Sequence, residues 1–431
     1  MLWAERPIFG QDAGDLTERS PTSKNDSVRR RLVLLAACLA AVSAPGAAGT
    51  RPEPASALSV RLAQALAVPH LNRTMSSAIA LDLHSGEVVF RRNANRALIP
   101  ASNEKLAVTY AALIELGPWF RIETTVLGRG KLDGAVWRGD LVLKGYGDPT
   151  LSTGDLRRLG RQLRAAGIRK VTGRIVGDES FFDSRRVVPG WKSWYYLNQS
   201  ASLSALTVDR TLYAGRLSTE PALTAAATLR GELRRLRVAV AGPAVTGHAG
   251  PDALPLASTL SPPLQEILRF MNRESDNFTS ELILKQLGTL EGLRGTTARG
   301  ARVVRRALAD AGVPLAGVRI ADGSGLSSRN RLTARALISM LEIAWSDAEL
   351  RPAFVRSLPV AGRNGTLEDR MRRRPAAGRV AAKTGTTPLA SALSGFAAKR
   401  FAFAILHNGR PVSHFWARRA QDRFAAVLAS Y

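Results

Sequence analysis

A single cysteine, Cys38, in a chain of 431 residues leaves no partner for an internal disulfide and no cysteine-based metal site. Histidine is almost as scarce. His70, His84, His248, His407 and His414 are scattered, with no His-x-x-x-His spacing, so a zinc hydrolase is not expected, and neither is any metal or other cofactor. Acidic residues are short too, 35 against 61 basic ones, for a formal net charge of +26. Nine of the bases are lysine and the rest arginine, dispersed along the chain and not gathered in one tail. Such an excess suits anionic surroundings, for which wall polymers and a membrane surface are the candidate partners. No basic-aromatic motif or zinc spacing accompanies it, so nucleic acid is not an expected partner. The apolar run from Leu32 to Val42 is too short to span a bilayer comfortably.

What remains is an ordinary folded composition, 45% hydrophobic and 22% charged, at a length that allows two domains. Residues 1–49 read as a polar leader followed by a signal peptide or anchor: Arg29-Arg30-Arg31, the Leu32–Val42 run, then small residues to Gly49. The leader before it suggests translation from Val28. Leu35-Ala36-Ala37-Cys38 matches a lipoprotein cleavage box, but apolar residues continue past the cysteine, so simple secretion or an uncleaved tether is preferred. The chain is therefore expected outside the cytoplasm, in the wall or periplasmic space or secreted.

Helical patterning at 58–67 and a hairpin around His84-Ser85-Gly86 precede Pro100-Ala101-Ser102-Asn103-Glu104-Lys105, at the start of a helix stopped by Gly117-Pro118. Of the nine lysines, only Lys105 has a serine three residues before it. One helical turn puts the two side chains on a shared face, beside free backbone N–H groups. From 117 to 220 the texture changes to short β-like runs punctuated by glycine, which reads as an inserted domain. Helices return from Pro221. Ser275-Asp276-Asn277 lies on the link between two of them, and Lys383-Thr384-Gly385-Thr386 ends a strand before a hairpin and a closing helix. The division expected is 50–116 and 221–431 as two parts of one α/β domain, a sheet covered by helices, with 117–220 inserted.

The three motifs, in this order, resemble the set found in penicillin-binding proteins and serine β-lactamases. Their chemistry is coherent. A serine nucleophile needs a base, and Lys105 can serve if burial and a second cation, Lys383, lower its proton affinity. Lys383 with Thr384 and Thr386 would hold a terminal carboxylate. Ser275 would relay a proton to the leaving amine, Asn277 would hold the peptide carbonyl, and the N–H groups of Ser102 and of Thr386, which follows Gly385, would meet the oxyanion.

The closer resemblance is to the penicillin-binding D-alanyl-D-alanine carboxypeptidases of low-molecular-mass class C (DacB-like). It runs from about Ser77 to the C-terminus and includes Gly145-Tyr146-Gly147-Asp148-Pro149, Asp322-Gly323-Ser324-Gly325-Leu326 and Gly362-Arg363-Asn364-Gly365-Thr366-Leu367. It implies a β-lactamase/transpeptidase-like fold split by a β-rich insertion after the nucleophile helix. The implied activity is a penicillin-sensitive serine carboxypeptidase or endopeptidase, acting on peptidoglycan stem peptides through an acyl-enzyme at Ser102, with β-lactams as covalent inhibitors. A non-catalytic wall-binding protein of the same fold and a serine β-lactamase are the alternatives. Two departures stand out: Thr387 replaces the family's usual hydrophobic residue, and little room is left between Asp209 and Pro221 for the further domain many members carry.

Overall fold

The computed structural model describes residues 56–431 apart from Ala214 and Leu293. The leader, the Arg29–Val42 region, Cys38 and the Val28 start all lie outside the described residues.

A five-stranded antiparallel sheet forms the first layer. Its strands are β1 (Ser76–Asp82), β2 (Val88–Arg92), β12 (Val380–Thr387), β13 (Ala390–Ala397) and β14 (Phe401–Asn408), in the order β12-β13-β14-β1-β2. Strand alternation sorts the side chains onto two faces. Ala78, Ala80, Phe403 and Ile405 point toward α1 (Ala57–Ala65) and α10 (His414–Ala429), meeting Leu62, Phe424 and Leu428. Ile79, Leu81, Ala402, Ala404 and Leu406 point the other way, into a larger core. That core is built by α2 (Glu104–Glu115), α5 (Leu264–Arg273), α6 (Asn277–Gly288), α7 (Thr297–Asp310), α8 (Ala334–Ser346) and α9 (Leu350–Ser357). Strands buried on both faces carry near-continuous apolar runs, which is why β1 and β14 are buried at every position.

The second sheet begins with the long hairpin β3 (Glu123–Asp133) and β4 (Val136–Gly145). It adds β6 (Ile175–Asp178) and β10 (Ala244–Thr246) in parallel on one side, and β11 (Leu254–Leu260) antiparallel to β3 on the other. The short β5 (Lys170–Val171) and β9 (Ala239–Val240) extend β4. Helices α3 (Thr153–Ala165) and α4 (Pro221–Arg235) cover one face through Leu156, Leu159, Leu163, Leu229 and Leu233. Strand pairing therefore carries this layer from Glu123 to Leu260, where the sequence suggested a boundary at 220. The reason is that α4, read as a return to the first domain, buries its apolar face on β4 and β6 instead. Between Asp209 and Pro221 the chain makes a 3-10 turn and the two-residue strands β7 (Leu212–Tyr213) and β8 (Arg216–Leu217).

The two connections between the layers run side by side. Ser261 N–H donates to the Ile122 carbonyl, Ile122 N–H to Ser261 Oγ at 2.9 Å, and Leu264 N–H to the Phe120 carbonyl. Among the described residues no helix is long and apolar enough to cross a membrane.

Candidate active site

Three chain segments converge where α2 begins. A 3-10 turn, Ala101–Asn103, leads directly into α2, and Ala101 sits at φ +47°, a left-handed conformation that costs a residue with a Cβ about 1 kcal/mol or more. The turn is clamped from both sides. A Cβ on Gly385 would meet the Pro100 carbonyl oxygen at 2.8 Å, and one on Gly325, φ +86°, would meet the Ala101 carbonyl oxygen at 1.9 Å. Asn103 Nδ2 ties the turn to β12 by donating to the Lys383 carbonyl at 2.9 Å. The Ser102 side chain stays half-buried, open to a substrate.

One turn along α2, Lys105 is fully buried. Its Nζ donates to Ser102 Oγ at 3.2 Å, to Asn277 Oδ1 at 2.8 Å and to the Ser324 carbonyl at 2.6 Å. Burial pushes its pKa down to about 8, against the pull of Asp276, Asp322, Glu281 and Glu104. The Asn277 contact needs the link between α5 and α6. Ser275 there adopts φ +57°, and Asp276 caps α6 by accepting from Thr279 N–H. Asp276 is held in turn by Arg210, whose two terminal nitrogens lie 3.1 and 2.5 Å from its carboxylate and whose guanidinium stacks over Phe278.

Lys383, also fully buried, donates to Ser275 Oγ and to the Thr384 carbonyl, each at 2.9 Å. Burial drives its pKa well below the ordinary lysine value, and the charge on Lys105 adds to the effect. From sequence, Lys383 was expected as the cation that would neutralise Lys105; in the structure burial is the first cause for both lysines. Four carboxylates pull up the pKa of Lys105, whereas Lys383 is bonded to a hydroxyl and a carbonyl. Thr384 Oγ1 bonds Thr366 Oγ1 at 2.8 Å, and Thr386 is exposed beyond Gly385 on β12.

The site thus brings together Ser102, Lys105, Ser275, Asn277, Lys383 and Thr384, with Gly385 pressed against the nucleophile turn. Several contributors went unread in the sequence: the Ser324 carbonyl, Glu281, Arg210 and the wall made by the second layer. In that wall the Gln199 carbonyl accepts from Asn277 Nδ2 at 2.9 Å, and Trp191 Nε1 donates to Asp322 at 2.9 Å. Glu281 had a legible signal, lying one helical turn after Asn277. The others depend on long-range packing. Among the described residues no cluster of histidine, cysteine and carboxylates could hold a metal.

Glu104, between the serine and the lysine, is fully buried, and neither of its carboxyl oxygens has a partner among the described residues. Burial, followed by Asp322 and Glu281, raises its pKa well above the usual carboxyl value. A raised native pKa means the native state binds the extra proton. The group is therefore harmless below about pH 4, the unfolded value, and costs stability as pH rises toward the native pKa. Glu104→Leu should raise the thermal midpoint, reflecting about 1–3 kcal/mol. The gain should be larger at pH 8 than at pH 5 by calorimetry. An equal or inverted gain would show that the carboxyl is satisfied in the native state.

Comparisons with known proteins bear on the family and the fold. The model of the D-Ala-D-Ala carboxypeptidase 3 (S13) family matches residues 58–220 and 210–431. A D-alanyl-D-alanine carboxypeptidase of Actinomadura sp. (strain R39) is 31% identical over 450 residues, covering 84% of this chain and 82% of the relative. Carboxypeptidase DacB of Mycolicibacterium smegmatis is 32% identical over 405 residues, covering 86% and 84%. In fold, the chain is similar to penicillin binding protein 4 of Haemophilus influenzae, with a TM-score of 0.75 at 22% identity, over 84% of this chain and 97% of that one. With both stretches of the family model spanning the two layers and all three motifs, the chain belongs to the D-Ala-D-Ala carboxypeptidase 3 (S13) family.

Proposed function

We propose that this protein cleaves the terminal D-alanyl-D-alanine bond of peptidoglycan stem peptides through an acyl-enzyme on Ser102. It is a serine peptidase of the D-Ala-D-Ala carboxypeptidase type. The observation that carries the mechanism is the Lys105 amine, buried and bonded to Ser102 Oγ, with no histidine among the described residues bonded to that hydroxyl.

In this reading the substrate's C-terminal carboxylate enters beside Lys383, Thr384 and Thr386. It supplies the counter-ion Lys383 lacks, so Lys383 becomes charged. Two ammonium groups in one dry cleft repel, so the arrival of the carboxylate favours the neutral form of Lys105. The neutral amine takes the proton of Ser102 as Oγ forms its bond to the scissile carbonyl carbon. Backbone N–H groups of Ser102 and Thr386 receive the oxyanion, while Asn277 holds the neighbouring peptide carbonyl. When the intermediate collapses, the C–N bond breaks. The leaving amine of D-alanine takes a proton through Ser275, which is bonded to Lys383. Water then releases the ester.

A β-lactam would acylate the same serine, in keeping with the β-lactam complex of the Haemophilus influenzae protein. The substrate lies outside the cytoplasm, and the Arg29–Val42 segment of the sequence supports export of the chain. The dispersed arginines would favour anionic wall polymers or a membrane surface as surroundings.

Incubating the protein with a purified muropeptide pentapeptide and with a cross-linked dimer, read by mass, tests the assignment. Loss of one D-alanine from the pentapeptide is the expected result, and cleavage of the dimer would add endopeptidase action. An untouched pentapeptide would contradict the assignment. So would rapid turnover of a chromogenic cephalosporin in place of stoichiometric labelling.

A further inference from the structure

The loop Gly323-Ser324-Gly325 is the third wall of the site, and its placement is over-determined. On one side it lies on α6. A Cβ on Gly323 would meet the Ser280 carbonyl oxygen at 2.6 Å, and Ser280 Oγ donates to the Gly323 carbonyl at 2.5 Å. On the other side Gly325 is in contact with the nucleophile turn. At its centre Glu281 Oε1 accepts both the Gly323 N–H, at 3.1 Å, and the Ser324 N–H, at 2.8 Å. The peptide fixed in this way presents the Ser324 carbonyl to Lys105 Nζ at 2.6 Å, the shortest of the three Lys105 hydrogen bonds.

Asn277, Ser280 and Glu281 occupy positions i, i+3 and i+4 of one helix and so share a face. The first turns of α6 therefore hold Lys105 twice. Asn277 bonds it directly, and Ser280 with Glu281 bond the loop that bonds it. Glu281 is fully buried, and its Oε2 has no partner among the described residues. A buried carboxyl with an idle oxygen is costly wherever an apolar side chain would fit, as it would on a helix whose neighbours Leu282, Ile283 and Leu284 are all in the core.

We propose that Glu281 is a positioning residue of the acylation centre: by clamping the Gly323 and Ser324 amides it fixes the carbonyl that, with Asn277, aims the Lys105 amine at Ser102. The role asks for an acceptor oxygen at Oε1, which glutamine also supplies. It rests on the reading of Lys105 as the base.

The test uses full-length chain, a fluorescent penicillin and stopped-flow acylation, with Glu281→Leu, Glu281→Gln, Ser280→Ala and Lys105→Ala. Glu281→Leu is expected to slow the acylation step by about 10²-fold, the effect of a misplaced catalytic group, with the preceding non-covalent binding unchanged. Glu281→Gln should restore the rate to near that of the unmodified protein, a rescue that a merely structural loss would not show. Ser280→Ala, which leaves the carboxyl in place, should slow acylation by about 10-fold without altering circular dichroism. It carries the test if Glu281→Leu fails to fold. Full-rate acylation by Glu281→Leu, a Glu281→Gln as slow as Glu281→Leu, or an unaffected Ser280→Ala would overturn the proposal. A reactive Lys105→Ala would instead overturn the reading of Lys105 on which it rests.

Discussion

Lys105→Ala will leave Ser102 nearly inert, lowering the acylation rate by about 10⁶-fold, as for loss of the base in other serine hydrolases. The expectation follows from the surroundings of the hydroxyl. A serine hydroxyl is a weak nucleophile without a base, and the Lys105 amine is the basic group bonded to it. His407 cannot substitute, because it is buried against Ser76 with its pKa pushed down to about 4. Lys105→Arg should be as slow as the alanine variant, since a guanidinium stays protonated at any working pH. The pH profile adds a sign. Lys105 is a base only when neutral, so kcat/KM for acylation should rise with pH and level off above about 8. A profile flat down to pH 5, or a Lys105→Ala that acylates within about tenfold of the unmodified protein, would exclude the lysine as base.

Lys383→Ala should lower kcat/KM on a peptide ending in a carboxylate by about 10²–10³-fold, the usual cost of removing one partner from a buried charge pair. The loss should shrink for a substrate whose C-terminus is an amide, because that substrate never formed the pair. A second consequence separates Lys383 from a plain binding residue. With substrate bound, removing a neighbouring cation makes protonation of Lys105 easier, so the acid limb of the kcat profile for the peptide should move to higher pH. Peptide and amide substrates suffering equally would show that Lys383 does not hold the carboxylate.

How much of this was legible in the sequence depends on how local each feature is. Ser102 and Lys105 share a helical face, and Ser275 with Asn277 sits on a helix link, so their relations to the nearby chain could be read from spacing. The strands holding Ile79 and Phe403 could be read as short apolar runs, but which face meets which core could not, since both faces are apolar. The electrostatic surroundings of the two lysines could not be read. They depend on Glu104, Glu281, Asp276 and Asp322 arriving from three separate segments around Lys105 and not around Lys383. The extent of the second layer was hidden for a similar reason. An amphipathic helix such as α4 shows that it has an apolar face but does not say which sheet will cover it. The strand β11 is exposed or half-buried at every position, and Pro255 and a register shift interrupt it, so it carried little periodic signal.

Intact mass and peptide mapping of the full-length protein after exposure to benzylpenicillin tests the central claim most directly. One penicilloyl group per chain is predicted, on the peptide containing Ser102, and none in Ser102→Ala. No adduct on the unmodified protein, or an adduct that persists in Ser102→Ala, would contradict the assignment of Ser102 as the nucleophile.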